Sequence, residues 1–237
     1  MHTKKIYINS NYVDSNFELK MSSFFQMMQE IAGEHCEILG VGHSETIEKG
    51  KIWVITRFQV EVNEMPKYRQ NVILKTYPGK TAKFIFPRHF ILCDENDNTL
   101  IKASSTFLVI SSDTRQIIMN PFENNDLPYE TYEGELGIPE KVNVTEVEFI
   151  EKRIVRYSDI DLNSHLNNTR YIEYIFDLHD SEFYKNHVIK SLIINYKHEA
   201  KNKDEISLYS NKNNPEIIVG KINDTSIFDV SLSYKER

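Results

Sequence analysis

One order of elements occurs twice along this chain and limits the architectures open to it: a strand, one helix, then a run of antiparallel strand candidates. In the first half, apolar positions alternate between Lys4 and Lys20 at Ile6, Ile8 and Tyr12, the period of a strand or two. Phe24, Met27, Met28, Ile31 and Ala32 then recur at helical spacing, which predicts a helix over 22–39 with Ser22 and Ser23 as N-caps and Gly40 near its end. Four runs rich in β-branched and aromatic residues follow: IWVITRFQVEV at 52–62, NVILKTY at 71–77, KFIFPRHFILCD at 83–94 and TLIKASSTFLVIS at 99–111. DENDN at 94–98 reads as a hairpin turn between the last two.

Residues 120–144 hold three Pro and two Gly with an acidic excess and no sustained apolar period, which marks a linker. The order then begins again. VEFIEKRIVRYS at 147–158 reads as a strand and LNNTRYIEYIFDLH at 166–179 as a helix. VIKSLIINYKHEA at 188–200, EISLYS at 205–210, EIIVGKI at 216–222 and IFDVSLSYK at 227–235 read as four more strands. No residue-level repeat links the halves, so the symmetry lies in the order and length of the elements, as an old duplication would leave it. One helix against four or five strands in each half predicts an α+β layout, with a helix on a curved antiparallel sheet. Tyr171, Ile172, Tyr174, Ile175, Phe176 and Leu178 cover more than the stripe of a surface helix, as expected where a sheet wraps around it.

Composition narrows the function classes. Lys+Arg 28 against Asp+Glu 35 gives a net charge of −7, with no basic stripe, which argues against nonspecific binding to nucleic acid or to an anionic membrane. No apolar run approaches the ~18 residues of a membrane span, and MHTKKIYINSNY at the N-terminus lacks the apolar region of a secretory signal. Cys36 and Cys93 alone support neither a disulfide framework nor a cysteine-rich metal site and suit a reducing compartment, so a cytoplasmic protein is expected.

Chemistry concentrates in the segment from Asp159 to Asn168, between a strand and a helix. If extended, it sends Asp159, Asp161, Asn163, His165 and Asn167 to one side. Asp-x-Asp-x-Asn also opens a calcium loop, but Ser164 stands where that loop needs Gly and Arg170 where it needs a bidentate Glu. Asp161, His165, His198 and Glu199 are acceptable ligand types for a catalytic metal, yet no HExxH or similarly spaced pair accompanies them; no metal and no cofactor is assigned. A plainer alternative has Asn167 or Asn168 capping the helix and Asp161 with His165 as a surface pair. A cap needs one such residue, and the segment supplies five. The helix N-terminus behind them offers N–H groups and positive potential to an oxyanion.

RYSDIDLNSHLNNTRYI at 156–172 resembles the active-site segment of the acyl-acyl carrier protein thioesterases of plants and bacteria. MQEIAGEH at 28–35, IWVITRFQVEV and SSDTRQI at 111–117 are similar to that family's N-terminal half, in the same order. The resemblance implies a double hotdog, two tandem curved antiparallel sheets each wrapping a long central helix. It implies an N-terminal hotdog domain over 1–120 that holds the acyl chain, a linker over 121–145 and a catalytic C-terminal hotdog domain over 146–237.

By the same resemblance the catalytic residues fall on Asp161, Asn163, His165 and, in NYKHEA, Glu199. Ala200 stands where the plant enzymes carry a cysteine, so a cysteine mechanism is not available here. Glu199 and His165 are expected to activate water, with Asp161 orienting His165 or the neighbouring backbone and Asn163 positioning the thioester; which of Glu199 and His165 takes the proton stays open, as does direct attack by the Asp161 or Glu199 carboxylate through an anhydride. Phe24, Met27, Met28 and Asn168 are the expected substrate-binding residues, the methionines because they adapt to alkyl groups. The implied partner is an acidic acyl carrier protein, for which Arg153, Arg156, Arg170, Lys197 and Lys201 would form a cationic patch; Lys203 lies beside it. An acyl-CoA thioesterase on the same fold and a non-catalytic acyl-binding protein are the alternatives, and assembly as a homodimer stays open.

Overall fold

The computed structural model describes residues 1–122 and 127–237, so part of the linker expected at 121–145, residues 123–126, lies outside the described residues. The chain divides into two compact units, one of Met1–Lys20 with Phe24–Pro139 and one of Met21–Ser23 with Glu140–Arg237.

The first unit carries β1 (His2–Tyr7), α1 (Met21–Ile38) from Phe24 onward, α2 (His43–Ile47), β2 (Lys51–Val62), β3 (Asn71–Pro78), β4 (Phe86–Cys93) and β5 (Thr99–Ser111). Its strands pair antiparallel in the order β1-β3-β4-β5-β2. α1 buries Phe24, Phe25, Met27, Met28, Ile31 and Ala32, the stripe read from the sequence, and Phe25 meets Phe58 of β2 at 4.9 Å between ring centroids. The expected Ser22 and Ser23 caps are not used. The helix begins at Met21 with Lys20 at the cap position and no side-chain cap bond, so both serines lie inside the first turn. Gly40 follows the helix with φ 69°, a conformation that glycine adopts without a Cβ penalty. The DENDN turn forms as expected: Asp94 N donates to Asn98 O at 3.0 Å and joins β4 to β5.

Residues 128–139 of the expected linker are tied to this unit's sheet. Glu130 N donates to Pro78 O, Lys102 Nζ to Gly134 O, Ser104 Oγ to Gly137 O and Arg57 Nη1 to Pro139 O. An irregular segment rich in Pro and Gly is thereby held by one main-chain bond and three side-chain donors in place of a ladder.

The second unit carries β6 (Val147–Ile154), a 3₁₀ turn (Tyr157–Asp159), α3 (Asn168–Phe176), α4 (Ser181–Asn186), β7 (His187–Tyr196), β8 (Glu205–Asn211), β9 (Ile217–Ile222) and β10 (Thr225–Glu236). Its antiparallel order is β7-β10-β9-β8-β6. Read from the other end this is first, third, fourth, fifth and second strand, the order found in the first unit. Two units with one strand order are what an internal duplication predicts. The second helix is shorter than the expected 166–179: it ends at Phe176, and Asp180 accepts from Phe183 N to cap a new helix, α4. Tyr171 of α3 packs against Tyr196 of β7 at 5.4 Å and Phe228 of β10 at 5.2 Å. Gly220 of β9 makes this possible, because a Cβ there would lie 2.0 Å from the Phe228 ring.

Candidate active site

All the polar residues of the 159–168 segment lie in the second unit, but the segment is not extended. Tyr157–Asp159 is a 3₁₀ turn, and residues 161–164 form a second turn closed by Ser164 N to Asp161 O at 3.0 Å and Asp161 N to His165 O at 2.8 Å. Ser164 sits at φ 64°, and Ile160 bridges Leu166 across the turn. The expectation that five polar side chains share one side therefore fails, and the cause is local. Asp161 Oδ1 accepts from Asn163 N at 2.8 Å and from His165 N at 3.2 Å, an Asx turn that competes with extended backbone.

The five residues divide as follows. Asp159 Oδ2 accepts from Arg156 N and from Tyr174 OH, and its other oxygen lies 3.7 Å from Arg170 Nε. Asn167 is the N-cap of α3, taking Thr169 N and Thr169 Oγ1 on its Oδ1, both at 2.9 Å. Asp161 holds the turn. Asn163 is exposed on it. His165 is half-buried, and its Nε2 lies 3.2 Å from Glu199 Oε2.

Glu199 reaches His165 because two chain segments are stitched together here. Leu166 N donates to Ala200 O at 2.8 Å, and just upstream Lys197 N donates to Ile227 O at 2.9 Å. Ala200, at the plant cysteine position, is fully buried. Burial also pushes the thiols of Cys36 and Cys93 above their ordinary range, so neither is a poised nucleophile.

Three tyrosines hold this site: Tyr171 and Tyr174, which the sequence places on the apolar face of the second helix, and Tyr196 of β7. Burial raises the Tyr171 hydroxyl well above its ordinary range; it accepts from Ala200 N–H and feels the charges of Glu199 and Asp161. Tyr174 donates to Asp159 at 2.9 Å, and Tyr196 OH donates to Asn168 O at 3.1 Å. The signal was present: a buried phenol needs a hydrogen-bond partner, so Tyr in place of Phe on a core face marks a polar neighbour. The remaining expected residues fall elsewhere. Phe24, Met27 and Met28 are buried on α1 in the first unit. Asn168 is the first residue of α3 and half-buried.

Among the expected patch cations, Arg153 pairs with Glu151 and Asp177, Arg170 with Glu173 and Lys197 with the buried Asp229. Arg156 and Lys201 are exposed and have no carboxylate within salt-bridge distance among the described residues. Among those residues, too, no three His, Cys, Asp or Glu side chains converge as a metal site needs, and no helix is long and apolar enough to cross a membrane.

Two family models match. The acyl-ACP thioesterase N-terminal domain matches residues 1–123 and the acyl-ACP thioesterase C-terminal domain matches residues 142–230. This chain belongs to the acyl-ACP thioesterase family. Similar relatives include the palmitoyl-acyl carrier protein thioesterase of Cuphea hookeriana, 25% identical over 81% of this chain and 50% of that protein. The oleoyl-acyl carrier protein thioesterase 2 of Arabidopsis thaliana is 23% identical over 95% of this chain and 66% of its own length. The chain thus spans half to two thirds of the length of these two relatives. Among solved structures, an acyl-ACP thioesterase from Bacteroides thetaiotaomicron superposes with TM-score 0.89 at 24% identity, over 99% of this chain and 97% of that one. The 12:0-ACP thioesterase from Umbellularia californica does so with TM-score 0.81 at 18% identity, over 100% of this chain and 97% of that one. The expected double hotdog is the fold of this family member.

Proposed function

We propose that this chain hydrolyses the thioester of fatty acyl-acyl carrier protein, releasing free fatty acid and holo-carrier protein. The observation that carries the reading is the approach of His165 Nε2 to Glu199 Oε2 at 3.2 Å, two residues ahead of the Asn167 cap of α3. Relatives named for palmitoyl, oleoyl and dodecanoyl carrier protein thioesters support the substrate class.

Water held by His165 and Glu199 adds its oxygen to the thioester carbonyl carbon while its proton passes to that pair. The carbonyl oxygen becomes an oxyanion. Thr169 N and Arg170 N are taken by the Asn167 side chain and carbonyl, which leaves Asn168 N–H as the first-turn donor the cap does not use. That N–H, the positive end of α3 and the Asn163 amide supply the stabilisation. Collapse of the tetrahedral intermediate breaks the C–S bond, and the departing thiolate takes the proton. Asp161 serves by fixing the backbone of Asn163 and His165. In the same reading Phe24, Met27 and Met28 contact the acyl chain.

The test is turnover of matched acyl-carrier-protein and acyl-CoA thioesters across chain lengths. Higher kcat/KM on the carrier-bound series supports the proposal. Higher kcat/KM on the CoA series reassigns the chain to acyl-CoA hydrolysis, and acyl binding without turnover makes it a binding protein.

A further inference from the structure

Tyr196 closes β7, three residues ahead of Glu199, and its hydroxyl reaches the start of α3, where it donates to Asn168 O at 3.1 Å. The helix does not need that bond. Asn168 is the first residue of α3, and the groups that an α-helix leaves unpaired at its N-terminus are N–H groups, not carbonyls. Packing does not need it either, because a phenylalanine would set the same ring against Tyr171, 5.4 Å away. Burial holds the Tyr196 hydroxyl well above its ordinary range, and a buried phenol is tolerated where its O–H has a partner.

What the bond fixes is the main chain around Asn168 N–H. One residue upstream, Asn167 N donates to Asp159 O at 2.9 Å, and Asp159 is itself held by Tyr174 OH at 2.9 Å. The Asn168 N–H thus lies between two anchors, Asp159 before it and Tyr196 after it. The second anchor also belongs to the other half of the site. Lys197 N and His198 N both donate to Ile227 O, at 2.9 and 3.2 Å, and Leu166 N donates to Ala200 O at 2.8 Å, so Tyr196 stands at the root of a short tied segment that carries Glu199. One side chain therefore joins the segment of the carboxylate to the first turn of α3. Catalytic groups act only when held within about 0.5 Å of their productive place, which makes such a joint consequential for rate.

We propose that Tyr196 is a positioning residue for thioester hydrolysis: through Asn168 O it holds Asn168 N–H in register with the His165–Glu199 pair, where the oxyanion forms. The inference rests on the reading of this chain as a thioester hydrolase. Tyr196 acts through Asn168 and not on the substrate. Its contribution is made in the transition state, so it falls on kcat and not on KM, and it is the same whatever carries the acyl group.

The experiment compares the wild-type chain with Tyr196→Phe on one acyl group, carried either by acyl carrier protein or by N-acetylcysteamine, with thermal unfolding of both proteins alongside. Outright removal of an oxyanion donor costs about 10²- to 10³-fold, and loosening one is expected to lower kcat by about tenfold. The expected result is that loss by the same factor on both substrates, with KM within about twofold of wild type and an unfolding midpoint close to it. A second readout is the cycle with Asn167→Ala. Both changes act on Asn168 N–H, so kcat of the double variant should fall by less than the product of the two single losses. Unchanged kcat in Tyr196→Phe overturns the inference. So does a loss carried mainly by KM or confined to the carrier-bound substrate, and so do single losses that multiply in full. A kcat restored when the assay is run well below the variant's unfolding midpoint assigns Tyr196 to stability alone and overturns it too. A wild-type chain that hydrolyses neither thioester refutes the functional reading instead, an outcome distinct from all of these.

Discussion

Asp161 holds His165 by its main chain: Asp161 Oδ1 accepts from His165 N at 3.2 Å, and the same oxygen takes Asn163 N at 2.8 Å. An amide oxygen can do the same. Asp161→Asn is therefore expected to keep the turn and to lower kcat by no more than about tenfold, since a charged acceptor is replaced by a neutral one. Asp161→Ala leaves both N–H groups without their acceptor, at a cost of about 1.5–3 kcal/mol in stability and with a much deeper loss of turnover. Steady-state kinetics and urea unfolding of the two variants check this. A loss in Asp161→Asn as deep as in Asp161→Ala would assign the carboxylate charge itself to the chemistry.

His165 and Glu199 are the pair on which turnover is expected to depend without stability following. His165→Asn and Glu199→Gln should each reduce kcat by about 10²- to 10⁴-fold, the usual contribution of a positioned acid or base. Their side chains are 19% and 39% exposed, so removing the pair should change stability by no more than about 1 kcal/mol. The readout is kcat beside the unfolding midpoint. Near-normal turnover in either variant would end its assignment to the reaction.

The difference between sequence and structure has a consistent physical origin. Runs such as 99–111 and 52–62 became strands because β-branched and aromatic side chains register burial directly. The repeated order of elements became two sheets of one topology for the same reason. Residues 159–168 read as extended because alternating polar residues satisfy a period-two pattern, while the same Asp and Asn side chains close turns on their own backbone. Pairings across the fold were not legible either. Nothing in the spacing places Glu199 beside His165, a contact that depends on Leu166 meeting Ala200, and nothing local says that Asp229 neutralises Lys197. Only the family resemblance points to Glu199. The roles of Tyr171, Tyr174 and Tyr196 could have been suspected from their hydroxyls.

Asn167 links the helix to the site. Its side chain caps α3, and its own N–H donates to Asp159 O at 2.9 Å. Asn167→Ala should cost about 1 kcal/mol of stability, and Asn167→Asp, which keeps the accepting oxygen, much less. Because Asn168 N–H follows directly, the alanine variant should also lower kcat more than it raises KM. Denaturant unfolding with Michaelis kinetics tests both parts. An alanine variant as stable and active as wild type would show the cap to be dispensable.

A second polar pair, in the first unit, sets an acid limit on the fold. Arg88 is buried on β4 with no carboxylate partner among the described residues; its Nη1 donates to Nδ1 of the buried His35 at 3.1 Å. That bond requires an unprotonated Nδ1. Burial, and then the Arg88 charge, lower the His35 pKa from 6.5 to about 4. Between those values the unfolded chain binds a proton that the folded chain refuses, so stability is complete above pH 6.5 and falls as the pH drops toward 4. The slope is at most about 1.4 kcal/mol per pH unit, or roughly 2–4 °C in Tm per kcal/mol for a chain of this size. Thermal unfolding at a series of pH values should show that decline in the wild-type protein. His35→Gln, which keeps an acceptor for Arg88 and cannot titrate, should remove the His35 share of it; a slope identical in the two proteins would place the acid sensitivity elsewhere.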